Sequence, residues 1–379
     1  MPQHHQETEC AFCSGPTGSC GARLQIGGCF ANCGVTCDRS TCDWTCPENE
    51  RYVSRMREVG GALISPVRTL RAPDEELPPY VPMIRHEYKL RQPLLPPVVA
   101  LPTFQIIKRK GSSYGDHVQG AAALRQRFHL APETAVLLTS VATDDHLEGY
   151  WHARTAHDVP RKLAEMGVSA ITTPNFSFFD DAPRIHTLWN RRRLAIVAEE
   201  LSDAGVGVIP HLNALTQHDW NHWAEVLRAQ PQLRMVAKEF QTGLDDGTAG
   251  RHAFERLLWL QDKVGRDLHP VLIAGSRFLE RLARHFKSFT IVDSVPFMRA
   301  MHRHGCRAVG HRNLKLCWEG RTTPPGEPLD SLYEDSLREY QNWVSARISS
   351  GRSSASGGSE GYQRRGQPGL AGSEAPTAV

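Results

Sequence analysis

The sequence lacks any run of about 18 apolar residues, the length that a membrane-spanning helix requires, so no contact with a membrane is expected. It has no apolar signal core at its polar N-terminus, and the expected location is the cytoplasm. Net charge is nearly absent: +3 over 379 residues is too little to argue for a nucleic-acid partner by itself. A Gly-rich phosphate turn is missing after the first long apolar run, because Lys110-Gly111-Ser112-Ser113-Tyr114-Gly115 matches one poorly. That weighs against a doubly wound open sheet. Cysteine is scarce beyond residue 50, where only Cys306 and Cys317 of the chain's 10 are found.

What is present begins with the other cysteines. Cys10, Cys13, Cys20, Cys29, Cys33, Cys37, Cys42 and Cys46 crowd residues 1–50, with glycines between them and few aliphatic side chains. Such a segment cannot bury a core of its own, and an ordered module would take its stability from bound metal. In a reducing compartment thiols bind metal more readily than they pair. Eight thiolates suit two four-sulfur sites. Zinc is the first expectation, an iron–sulfur cluster the alternative, and a reactive, partly disordered tail the plainest reading.

Residues 51–97 read as a proline-rich connector without chemistry, broken by Pro78-Pro79, Pro82 and Pro96-Pro97. Over residues 98–320 short apolar runs alternate with amphipathic stretches. The runs are 98–107, 135–141, 170–173, 206–210, 235–240, 270–274, 289–292 and 306–309. Helices are expected at 184–204, 218–229, 253–264, 278–286 and 296–304. Eight strands with helices between them predict an α/β fold, a (β/α)8 barrel of the TIM type. Residues 321–348 read as a C-terminal helix. Residues 349–379, rich in Ser, Gly, Pro and Ala, read as a disordered tail.

In such a fold the working face lies at the carboxyl ends of the strands. Candidates there are Asp144 and Asp145, then Asn175, Phe176 and Ser177, then His211 and Asn213. Glu239 and Gln241, Gly275, Asp293 and Arg299 follow. His, Lys and Gln at these ends exceed what helix capping asks for, although Asp145 and Asp293 also read as caps. The aromatic segment Asn175 to Phe179 could stack on a flat ring. Basic clusters at Lys108-Arg109-Lys110, at Arg191-Arg192-Arg193 and across residues 281–312 read either as phosphate contacts or as solvated helix faces.

Asp293-Ser294-Val295-Pro296 with Arg299, Ala300 and Gly305 resembles the F-D-C-V-x-P-T-R-x-A-R-x-G motif of the tRNA-guanine transglycosylase superfamily. Leu101-Pro102-Thr103-Phe104 is similar to that family's opening strand. The family's D-S-G-G-F-Q is absent, since Asp144 is followed by Asp145-His146-Leu147, and its zinc site after the nucleophile has no close match. Thr173 to Ser177 resembles the T-P-N-[FY]-S signature of an uncharacterised bacterial and phage domain family. The transglycosylase resemblance implies exchange of guanine for a 7-deazaguanine in DNA or tRNA. It implies Asp293 as covalent nucleophile and Asp144 or Asp145 as general base, facing one another across the mouth. It also implies a nucleotide flipped from its stack, base edges read by Asn175, His211, Asn213 and Gln241, and phosphates held by the basic helix surfaces. Two other readings stand beside it: a metal-dependent barrel hydrolase using Asp144, His211, Glu239, Asp293 and His311, and a protein that binds nucleic acid through its cysteine module.

Overall fold

The structure, a computed structural model, describes residues 58–60, 68–86, 90–94, 96–110, 113–116, 119–179, 184–241, 247–310, 312, 314–321, 323 and 326–356. The eight clustered cysteines, His311 and residues 357–379 lie outside them.

The fold is mixed α/β, with parallel sheets and ten α-helices among the described residues. Strands β1 (Tyr80–Pro82) and β2 (Val98–Pro102) are followed by helix α1 (Thr103–Ile106) and the antiparallel hairpin β3 (Ile107–Lys110) and β4 (Ser113–Asp116). Next come α2 (Gly120–Arg127), β5 (Ala135–Thr139), α3 (Asp144–Ala156), α4 (Val159–Glu165), β6 (Ala170–Thr172) and α5 (Arg184–Asp203). Then follow β7 (Gly207–Ile209), α6 (Gln217–Ala229), β8 (Met235–Glu239), α7 (Thr248–Val264), β9 (His269–Ile273), α8 (Leu279–His285), β10 (Thr290–Asp293) and α9 (Val295–Met301). The hairpin β11 (His304–Val309) and β12 (Lys315–Gly320) precedes the long α10 (Asp330–Ser356).

Two four-stranded parallel sheets form the centre, in the orders β1-β10-β9-β8 and β2-β5-β6-β7. Their edges touch at two parallel bridges, Met83 to Ala100 and His211 to Ala237. The Ile84 amide donates to the Ala100 carbonyl (2.9 Å), and the Leu212 amide to the Ala237 carbonyl (2.8 Å). Side chains alternate along every strand. Val81, Ala100, Leu137, Ala170, Ile209, Ala237, Ile273 and Val292 belong to one buried cluster, to which both sheets contribute. Leu101, Leu138, Ile171, Val208, Val236, Leu272 and Ile291 join the helices in a second. Burial on both faces is why these strands read as unbroken apolar runs.

Three strand assignments differ from the sequence expectation. The run 98–107, expected as one strand, ends at Pro102 and passes through helix α1 into β3. The strand beside β10 is β1, inside the stretch read as a connector. Prolines suggested a broken segment, but a proline loses only its donor and keeps its carbonyl. The Ile291 amide donates to the Pro79 carbonyl (2.9 Å), and the Met83 amide to the Asp293 carbonyl (2.8 Å). Residues 306–309, expected as the eighth parallel strand, instead pair antiparallel with β12. A short apolar run does not reveal its partner.

Helix ends follow local chemistry. Thr216 and Asp219 form a reciprocal capping box at α6, and Gly265 closes α7 at φ 76°. Helix α10 runs past residue 348, where the tail was expected to begin. Gly351 explains the extension: a Cβ there would come within 2.6 Å of the Glu280 carbonyl oxygen, so the small residue lets α10 lie against α8.

Candidate active site

A cavity of about 980 Å³ opens at the carboxyl ends of six parallel strands. Arg85 follows β1, and Phe104 follows β2. Asp144 and His146 follow β5, Asn175, Ser177, Phe178 and Phe179 follow β6, and Asn213 follows β7. Lys238 and Glu239 end β8, with Gln241 just beyond. Of the residues singled out in the sequence, Asp144, Asn175, Ser177, Asn213, Glu239 and Gln241 meet here.

Backbone and side-chain amides fix the floor of the site. The Ala142 amide donates to Asn175 Oδ1 (3.2 Å). The Asn175 side chain stands beside Glu239 and lowers the pKa of its carboxyl. Asn213 Nδ2 donates to the Phe176 carbonyl (2.7 Å), leaving its Oδ1 to accept from His211 Nδ1 (3.0 Å). The proton of the neutral imidazole is therefore on Nδ1, and Nε2 is buried without a partner. Ser177 donates to Asp144 Oδ1 (2.6 Å). Lys238 Nζ donates to the Leu212 carbonyl (3.1 Å).

Burial tunes these groups. It raises the Glu239 carboxyl above the usual carboxylate range, against the opposing pull of Lys238 and Asn175. It lowers the Lys238 ammonium, which Glu239 only partly offsets. It takes His211 down to about 3, helped by the nearby Lys238 charge. Burial therefore shifts the two groups in opposite directions, each toward its neutral form.

Six candidates stand outside the cavity lining. Phe176 is 1 % exposed, with the Arg193 guanidinium 4.1 Å from its ring centroid. His211 is fully buried and supports Asn213 from beneath. Asp145 is exposed in the first turn of α3. Gly275 sits at φ 146°, which only glycine adopts freely, and a Cβ would meet Leu272 at 3.1 Å; its role is in the turn. Arg299 is exposed on α9, with its guanidinium 5.7 Å from the Trp318 ring centroid.

Asp293 is the sixth, and it does not line this cavity with Asp144. It is 5 % exposed. Its Oδ2 accepts from the Tyr340 hydroxyl (2.6 Å) and its Oδ1 from the Val295 amide (3.1 Å). Burial raises its pKa, and these hydrogen bonds oppose the rise. It accepts from the first amide of α9 and ties α10 to β10.

The Arg191-Arg192-Arg193 cluster is likewise structural. Arg191 is 3 % exposed and pairs with Asp219 (3.0 Å). Arg193 makes two parallel bonds to Glu148 (2.7 and 2.8 Å) and lies 3.8 Å from the Trp189 ring centroid. Asn190, which Arg193 also contacts, donates to the Ser177 carbonyl (2.7 Å) and steadies the aromatic loop.

Sequence reading left Arg85, Phe104, His146, Lys238, Phe178 and Phe179 out of the binding set. Lys238 and the phenylalanines carried a signal, since they stand at a strand end and in an aromatic loop. Arg85 carried none once β1 was read as connector. Among the described residues no group of three or more His, Cys, Asp or Glu side chains is placed to hold a metal ion. No helix there is long and apolar enough to cross a membrane. No family model matches the chain, and no curated protein does.

Proposed function

We propose that this cavity catalyses base exchange at a guanine nucleotide, with Asp144 and Glu239 as its two carboxylates. The observation that carries the reading is their presence in one cavity with three phenylalanines, Phe104, Phe178 and Phe179, whose rings offer faces for a flat base. In this scheme Asp144 attacks C1′ of the ribose or deoxyribose, and the C1′–N9 bond breaks. Glu239 gives its proton to the departing guanine. Glu239, now a carboxylate, then takes a proton from the incoming 7-deazaguanine, whose nitrogen displaces Asp144 from C1′. Asn175, Asn213 and Gln241 have the donors and acceptors needed to read base edges.

We also infer that the two sheets close into one eight-stranded barrel. The two edge bridges and the inner cluster shared by both sheets support it. The cysteine spacing supports zinc in residues 1–50, with an iron–sulfur cluster as the alternative, and such a module would grip the DNA or tRNA. The reading places the chain in the cytoplasm, with its substrates. Metal-dependent hydrolysis fits less well, because its donor set is divided between the cavity, the sealed His211 and the buried Asp293.

The test is incubation of the full chain with guanine-containing tRNA or duplex DNA and a radiolabelled 7-deazaguanine. Label should enter one polymer, with guanine released in equal amount, and Glu239→Gln should slow this by at least about a hundredfold. No incorporation into either polymer would sink the proposal.

A further inference from the structure

Arg85 lines the same cavity as Glu239 and Asp144 and is half-buried. Among the described residues it has no hydrogen bond, ion pair or ring partner. Other arginines withdrawn from solvent are anchored: Arg193 on Glu148, Arg191 on Asp219, Arg154 on Glu200. Arg125 and Arg266 bind backbone carbonyls. A guanidinium taken partly out of water without a partner costs free energy, so Arg85 contributes nothing evident to the fold where it stands. Neither carboxylate of the cavity pairs with it: Asp144 accepts from Ser177, and Glu239 has Lys238 and Asn175 as its neighbours.

We propose that Arg85 is the oxyanion-binding residue of the cavity, and that the ligand carries a phosphate ester beside its planar ring. The planar fork of a guanidinium suits two phosphate oxygens at once. Strands β1 and β2 are neighbours through the Met83 to Ala100 bridge, so Arg85 and Phe104 follow adjacent strands into one cavity. A ring seated against Phe104 would have its phosphate on the arginine side. The base-exchange reading supplies the ring; the subsite itself rests on Arg85.

Calorimetric titration of the full chain with guanosine, guanosine 5′-monophosphate and a guanine-containing trinucleotide tests this. At least one phosphorylated probe should bind ten times more tightly than guanosine. A gain with the monophosphate alone marks a free mononucleotide as the source; a gain with the trinucleotide marks a polymer. Arg85→Gln should abolish the gain while leaving guanosine affinity and the melting temperature unchanged, and Arg85→Lys should keep part of it. Equal affinity for all three probes, absence of binding by all three, or a gain that survives in Arg85→Gln would overturn the proposal. Glu239→Gln separates the two ideas, because it should lose exchange and keep the phosphate gain. A wild-type chain that shows the gain but no exchange refutes base exchange and leaves the subsite standing.

Discussion

Glu239 and Asp293 occupy equivalent places and have opposite surroundings. Each is the last residue of a parallel strand, β8 or β10, and burial pushes each carboxyl up. Glu239 lines an open cavity, with Asn175 and Lys238 beside it. Asp293 has both oxygens occupied, one by Tyr340 of α10 and one by the Val295 amide. The difference is made by α10, which packs on α8, α9 and β11 and brings Tyr340 to Asp293, while none of its residues lines the cavity at the ends of β5 to β8. A carboxylate at a strand end becomes a candidate for chemistry only where no later element seals it.

The sharpest way to break that contrast is truncation. Asp293→Ala leaves the Tyr340 hydroxyl and the Val295 amide without their acceptor, and should cost about 4 kcal/mol. Glu239→Gln keeps the side-chain shape at a cavity lining, and should shift stability by less than about 0.5 kcal/mol. Urea unfolding of both variants checks this, and equal losses would erase the distinction.

His211, beneath the cavity, and Asp293 should respond to pH with opposite sign. His211 is held at about 3 in the fold against an ordinary 6.5. The unfolded chain therefore binds a proton that the fold refuses, and stability falls as pH drops below 6.5. The loss should reach about 3 kcal/mol by pH 4 and be absent in His211→Gln. Asp293 behaves in reverse, because its folded value is raised above 3.8. Its contribution is full below 3.8 and fades as pH rises through the folded value, so the stability advantage of wild type over Asp293→Asn should shrink over that rise. Melting temperatures between pH 3.5 and 8 report both trends, and a parallel response of the two variants would contradict the assignment.

A smaller effect isolates the seal itself. Tyr340→Phe removes one 2.6 Å hydrogen bond to a buried carboxyl and should cost about 2 kcal/mol. Phosphate binding at the cavity should not change, because Tyr340 is absent from its lining.

Much of the fold was legible because parallel strands buried on both faces write themselves as apolar runs. That holds for β2 and β5 to β10. It fails for β1, whose prolines serve the sheet through their carbonyls. It fails also for β11, whose antiparallel partner no local pattern announces. The site was legible where polar residues follow a strand directly, as Asn175, Ser177 and Glu239 do. Asp293 follows the same rule and carried the stronger family resemblance, but its contact with Tyr340, 47 residues downstream, was not legible in the sequence. Arg85 was lost with the strand that delivers it.

The most direct test compares exchange by Glu239→Gln and Asp293→Asn, each normalised to its folded fraction. Labelled 7-deazaguanine incorporation should fall at least about a hundredfold in Glu239→Gln and stay within a few-fold of wild type in Asp293→Asn. An active Glu239→Gln beside a folded but inactive Asp293→Asn would move the chemistry to the buried carboxylate and contradict the assignment.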